Sequence, residues 1–252
     1  MAYPLDNGPA RAQGVCFDST QWSLVLRATG AGESSGARQA LASLCTAYWD
    51  PLYAFIRRQG HKADVAEDLT QEFFTRFLDR DFLGSADRSR GKFRTFLLAC
   101  CRHFLANQHQ FAQAQKRGGG QPVLSFDFVD ADQRYQQEEP SSSWTAEKLF
   151  DRRWAVTLLD QVLQQLRQEY LAQDKGGLFE HLRGVMVGES QALSYAGIGA
   201  TVGMSEQAVK KAAQRLQQRY GVLLREQIAA TVDEPTLIDE EIRDLFAALS
   251  AS

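Results

Sequence analysis

Three features of this 252-residue chain predict an all-α fold: two helical domains joined by an acidic linker, the second containing a helix-turn-helix. Apolar residues recur at intervals of three and four through almost every long stretch, the spacing of one helix face. Alternating segments of useful length are missing, and only residues 122–129 hint at extended structure. The two signs of charge are segregated, with Asp127, Asp130, Asp132, Glu138 and Glu139 against Arg134 alone between the helical halves.

Composition bounds the function classes. Fractions of 44% hydrophobic and 23% charged residues are ordinary for globular protein. A net charge of −3 and a pI near 5.9 do not by themselves point to nucleic acid, so the distribution matters more than the sum. No apolar run is long enough to span a bilayer and no N-terminal signal segment occurs, so a cytoplasmic location is expected. Cys16, Cys45, Cys100 and Cys101 make neither a CxxC pair nor a secreted-type framework. Cys100 and Cys101 fall on an apolar helix face and read as small core residues.

Residues 1–18 are rich in Gly, Pro and Ala without periodicity and read as a disordered arm. The first domain is expected over 19–117. DSTQW, from Asp18, starts a short helix carrying Trp22, Leu24, Val25 and Leu26, and residues 30–36 form a Gly/Ser turn. Residues 37–59 place Leu41, Leu44, Tyr48, Leu52 and Phe55 on one side, and Pro51 is expected to kink or split that helix. An acidic helix follows, with Val65, Leu69, Phe73 and Phe77 on its apolar face. Beside that face, Asp64, Asp68 and Glu72, flanked by Glu67 and Gln71, make an acidic stripe. After a polar loop over 79–91 comes a basic helix whose Phe93, Phe96, Leu97, Cys100 and Phe104 share a face. Arg88, Arg90, Lys92, Arg94, Arg102, Lys116 and Arg117 lie in one stretch without a single acid. The run KRGGG, from Lys116, lacks the GxxxxGK[ST] spacing and reads as a flexible exit from that helix.

Residues 118–143 form the acidic linker, and the second domain is expected over 144–232. Its first helix, 145–173, carries Leu149, Trp154, Leu158, Leu159, Val162, Leu163 and Leu166 in register, until Gly176 and Gly177 break it. A short helix over 178–187 precedes a polar turn. The stretch SYAGIGATVGMSEQAVKKAAQRL, from Ser194, then has helix-turn-helix spacing. Ile198 and Val202 face inward, Gly199 lets the next helix cross closely, Gly203 supplies the turn, Met204 plugs the corner and Ser205 is a natural N-cap. Val209, Ala212, Ala213 and Leu216 pack inward, which leaves Glu206, Gln207, Lys210, Lys211, Gln214 and Arg215 for base edges and phosphates. A plain helical hairpin with a solvated cationic face is the bland alternative.

Residues 233–252 form an acidic extension with Asp233, Glu234, Asp239, Glu240, Glu241 and Asp244 against Arg243 alone. Thr236 to Asp239 fits a capping box with Asp in place of Glu or Gln. Leu237, Ile238, Ile242, Leu245, Phe246 and Leu249 predict an amphipathic helix. Two roles stay open for it: completing the core of the second domain, or shielding a DNA-binding surface near Lys210, Lys211 and Arg215.

The stretches AEDLTQEFF (from Ala66), KFRTFLLACCRHFLANQ (from Lys92) and the helix-turn-helix together resemble the extracytoplasmic-function (ECF) group of bacterial RNA polymerase sigma factors. TQWSLVLRA, KRGGG and the acidic tail are similar to the planctomycete-type members of that group. The resemblance implies that Asp68, Leu69, Gln71, Glu72 and Phe74 bind the β′ clamp helices of core RNA polymerase. It implies that Arg88, Arg90, Lys92, Arg94, Arg102 and Asn107 capture and unpair the −10 promoter element. Ser205, Glu206, Gln207, Lys210, Lys211, Gln214 and Arg215 would read the −35 duplex. The chain departs from many members in carrying Phe96 where they have Trp, and in a Gln/His-rich end to the basic helix. Promoter DNA and core polymerase are the implied partners, together with an anti-sigma factor or other regulator.

Two other classes compete. An ordinary helix-turn-helix regulator acting without polymerase explains residues 194–219 but leaves the acidic stripe unused. An enzyme or metal protein would need ExxH, HExxH or a Ser/His/Asp pattern, and none occurs around His61, His103, His109 or His181. No catalytic residue, metal or cofactor is therefore expected.

Overall fold

The first long helix keeps its proline. Pro51 lies inside α1 (Ser35–Arg58), which runs through it without splitting. An interior proline forfeits one backbone hydrogen bond at roughly 3 kcal/mol. Here Tyr48, Trp49, Leu52, Tyr53, Phe55 and Ile56 are all buried around it. Each large apolar side chain removed from water contributes about 1.5–3 kcal/mol, so packing outweighs the lost bond.

The computed structural model describes residues 35–77, 92–111, 132–133, 135–136, 144–189 and 193–250, with side chains from Ala47 in α1 and up to Asn107 in the basic helix. These residues are all-helical. α1 is followed by α2 (Ala63–Phe77), α3 (Phe93–Phe111), α4 (Ala146–Leu171), α5 (Gly176–Met186), α6 (Tyr195–Val202) and α7 (Glu206–Ala229). A 3₁₀ turn (Pro235–Leu237) then leads into α8 (Ile238–Ser250). The N-terminal arm, the Trp22 helix, the side chains of Leu41 and Leu44, the 79–91 loop with Arg88 and Arg90, KRGGG and the 122–129 stretch lie outside the described residues.

α3 buries Phe93, Phe96, Leu97, Cys100 and Phe104, the face that periodicity assigns to it. Cys100 and Cys101 are buried free thiols, and burial pushes the Cys100 thiol up to about 11. α2 is rotated from expectation. It buries Ala66, Thr70, Phe73, Phe74 and Phe77, while Val65 is 41% exposed. Phe74 stacks on Trp49 with ring centroids 5.6 Å apart, and this aromatic contact turns the helix toward α1.

α4 starts where Thr145 accepts a hydrogen bond from the Lys148 amide. It buries Leu149, Trp154, Leu158, Val162 and Leu166, with Leu159 and Leu163 partly covered. The helix stops at Leu171, ahead of Asp174 in the left-handed region at φ 56°. Gly176 and Gly177 therefore open α5; they are not the residues that break α4.

α4 also joins the two halves of the sequence. Phe150 stacks on Tyr48 at 6.3 Å, and Arg153 pairs with Asp50 at 3.3 Å, both groups buried. One hydrophobic core runs from Tyr48 through Trp154 to Leu245 without a break at the linker. Part of that linker is docked: Asp132 accepts from the Tyr53 hydroxyl at 2.7 Å and from Arg57 at 3.2 Å. Arg57 also lies over the Tyr135 ring, 4.8 Å from its centroid.

Candidate functional site

α6 and α7 are joined by a three-residue turn whose chemistry is local. Ser194 caps α6 by accepting from the Gly197 amide at 3.2 Å. Gly203 turns the chain at φ 71°, a conformation that favours glycine. The Met204 amide donates to the Gly199 carbonyl at 2.9 Å, and Ser205 caps α7 by accepting from the Ala208 amide at 3.3 Å. A Cβ on Gly199 would stand 2.5 Å from the Met204 carbonyl oxygen, so the close approach there requires glycine.

Ile198, Val209, Ala213 and Leu216 are buried behind this turn, with Val202, Met204 and Ala212 partly covered. Ser205, Glu206, Gln207, Lys210, Lys211, Gln214 and Arg215 are all exposed. Lys210 pairs with Glu206 one turn back at 2.7 Å, and this bond raises the lysine above its ordinary range. The arrangement is a rigid helix end with amide, hydroxyl and cationic side chains on one outer face, suited to base edges and phosphates.

On α2, Asp64 and Asp68 are exposed, and Glu67, Gln71 and Glu72 are half-buried. Glu72 accepts from Arg76 on the same helix. Leu69 packs partly against the core. Phe74 belongs to the core and does not reach the stripe's surface, so among the five expected polymerase contacts it can act only by holding the helix.

The cations of α3 are divided. Arg102 is on the surface, pairing with Glu147 at 2.7 Å. Glu147 sits below the ordinary carboxylate range, chiefly through a backbone hydrogen bond in the first turn of α4 and then through Arg102. Asn107 lies beside His103, 3.2 Å from Nδ1. Lys92 and Arg94, in contrast, are covered by carboxylates. Arg94 donates from Nε and Nη2 to the two oxygens of Glu241 at 2.6 and 3.1 Å, from Nη1 to Asp151 at 2.6 Å, and from Nη2 to Asp244 at 2.7 Å. Its guanidinium lies over the Trp154 ring, 4.6 Å from the centroid. Lys92 donates to Glu240 at 2.7 Å and Asp244 at 2.5 Å, with Glu241 at 3.2 Å.

Burial works against both charges, but the carboxylates outweigh it and raise Lys92 and Arg94 above their ordinary ranges. Asp151 is pushed up by burial, against the pull of Arg94 and with help from Glu241 and Asp244.

Periodicity alone does not select Asp151, Trp154 and Glu241 as a set. Glu241 left one trace, as a carboxylate inside the apolar register Ile238, Ile242, Leu245. Glu240, Glu241 and Asp244 of the tail fall on Lys92 and Arg94, and Asp239 pairs with Arg225 of α7 at 2.6 Å; among the described residues none pairs with Lys210, Lys211 or Arg215, where the shielding alternative placed them. Its stripe buries Ile238 and Leu245 and leaves Phe246 53% exposed. Thr236 sits within the 3₁₀ turn, its hydroxyl donating to Glu234 at 3.4 Å, where a capping box was expected.

Among the described residues no three His, Cys, Asp or Glu side chains gather as a metal site, and no helix is long and apolar enough to cross a membrane. Comparison with protein-family models, curated proteins and solved structures finds no match to this chain.

Proposed function

We propose that the chain is a transcription initiation factor of the sigma class, which binds core RNA polymerase and directs it to promoters. The reading is carried by the outer face of α7: seven exposed polar or charged residues from Ser205 to Arg215, presented by a capped glycine turn. A helix end of this kind docks in a major groove, with amides and cations reading bases and holding phosphates. The exposed carboxylates of α2 give it a second surface for a basic protein partner, the polymerase. The cations of α3 supply the third, for the −10 strand.

Co-purification with core polymerase, followed by run-off transcription, tests this reading. Wild type should bind core enzyme and start transcripts at defined sites. Asp68→Arg with Glu72→Arg should stay folded and lose the association. A wild type that binds duplex DNA but not polymerase would make the chain an ordinary helix-turn-helix regulator instead.

A further inference from the structure

Two of the cations assigned to the −10 strand are already occupied by acid from the C-terminal helix. Lys92 and Arg94 are each almost fully covered, at 12% and 11% side-chain exposure. Four carboxylates surround these two cations: Asp151 from α4 and Glu240, Glu241 and Asp244 from α8. The cluster therefore carries two surplus negative charges and repels phosphate while it is closed. With α8 withdrawn, two positive charges and one carboxylate remain. That reversal is far larger than neutralising two cations requires.

α8 is held at its root, in its first turn by Arg225 on Asp239 at 2.6 Å, and at its far end by Arg152, which donates to the Leu249 carbonyl at 3.0 Å. The Phe93 amide donates to the Thr231 carbonyl at 2.9 Å, and Lys92 bridges to Val232, so the chain entering the tail is tied to the start of α3. Ile238 and Leu245 reach the core. Farther on, an open cleft of about 370 Å³ between α4 and α8 is lined by Arg94, Lys148, Asp151, Asp244, Ala247 and Ala248. It brings solvent to the edge of the ion cluster. α8 packs mainly on α4 and α7 and not on α1, so it can lift without parting α1 from α4.

We propose that α8 is an autoinhibitory latch: its Glu240, Glu241 and Asp244 hold the positions that single-stranded DNA phosphates take on Lys92 and Arg94, and strand and helix compete for them. The inference rests on the proposed role of α3 in nucleic-acid binding. The strand supplies the replacement anions, so neither buried cation is left unpaired during the exchange.

The test uses full-length protein and a fluorescein-labelled oligothymidylate of about 15 nucleotides, without polymerase. Glu240→Gln with Asp244→Asn alters two rim residues that are 52% and 41% exposed, and leaves buried Glu241 in place. This variant should bind about fivefold or more tighter than wild type at low salt. Its log–log salt slope should steepen by about 1.4, two cations at roughly 0.7 each. Adding Lys92→Gln should remove most of the gain. Glu180→Gln with Glu189→Gln removes the same charge from α5 and the turn after it, and should give well under half of the gain. An equal gain from that control, a gain that survives Lys92→Gln, or no gain in a folded variant overturns the latch. Should the variant melt at the assay temperature, hydrogen exchange on wild type decides. Saturating oligonucleotide must speed exchange over 238–250, and unchanged or slower exchange overturns the proposal. Polymerase co-purification of wild type reads the sigma assignment separately, so one can fail while the other stands.

Discussion

The guanidinium of Arg94 grips both carboxylate oxygens of Glu241, at 2.6 and 3.1 Å, across 147 residues of sequence. Glu241 is wholly buried and lies at the centre of the contact between α3, α4 and α8. Removing one member of a buried pair strands the other's charge, which costs about 3–5 kcal/mol. Arg94→Met and Glu241→Leu, made singly, should therefore each lower the unfolding free energy by roughly that amount. Arg94→Met with Glu241→Leu should recover much of it. A urea titration of the singles and the double forms the cycle, and additive losses would show that the two groups are not coupled.

Asp151 sets a pH dependence of known sign. Burial raises its folded value above the ordinary 3.8. A carboxyl raised on folding favours the fold while protonated, and that contribution is lost as pH rises through the folded value. At neutral pH the ionised group is thus a cost, which Asp151→Asn removes while keeping an oxygen for Arg94. The variant should melt higher than wild type near pH 7, and the difference should fade as pH falls toward the unfolded value. A lower melting point at neutral pH would mean that the charge of Asp151 is needed by Arg94.

Two glycines of α6 make a contrast. A Cβ on Gly199 meets the Met204 carbonyl oxygen at 2.5 Å, whereas one on Gly197 finds only ordinary contacts at 3.5 Å and beyond. Gly199→Ala should cost about 1–3 kcal/mol, because the clash is with backbone that the turn holds. Gly197→Ala should be neutral or stabilising by up to about 1 kcal/mol from helix propensity. Chemical denaturation of both separates steric need from the general tolerance of alanine in a helix.

On the proposed reading of α7, Gln207 and Arg215 do different work. Gln207→Ala should change preference at one base pair by about 1–3 kcal/mol. Arg215→Ala should weaken every site alike and flatten the salt slope by about one unit. A binding-site selection run on both variants and wild type checks this. Superimposable preferences for wild type and Gln207→Ala would mean that α7 docks on another face.

Local pattern determined most of the elements and the α6–α7 turn. Helical periodicity repeats within a few residues, so Phe93, Phe96, Leu97, Cys100 and Phe104 declare a buried face without reference to the rest of the chain. Ser194, Gly203 and Ser205 do the same for caps and turn, since their hydrogen bonds and dihedrals close within a few positions. Rotation was less legible where apolar residues border one another on a helix. Val65 and Phe74 compete for the inner side of α2, and Trp49, on a different helix, decides for Phe74. Tertiary structure alone decided which helices share a core and which charges are spent. Phe150 against Tyr48, Asp132 beneath Arg57 and Glu241 on Arg94 are long-range choices. They depend on shape and charge matching between segments, and spacing within one segment carries no record of the other. A lysine and an arginine that look free in the sequence are therefore held by acids from the far end of the chain.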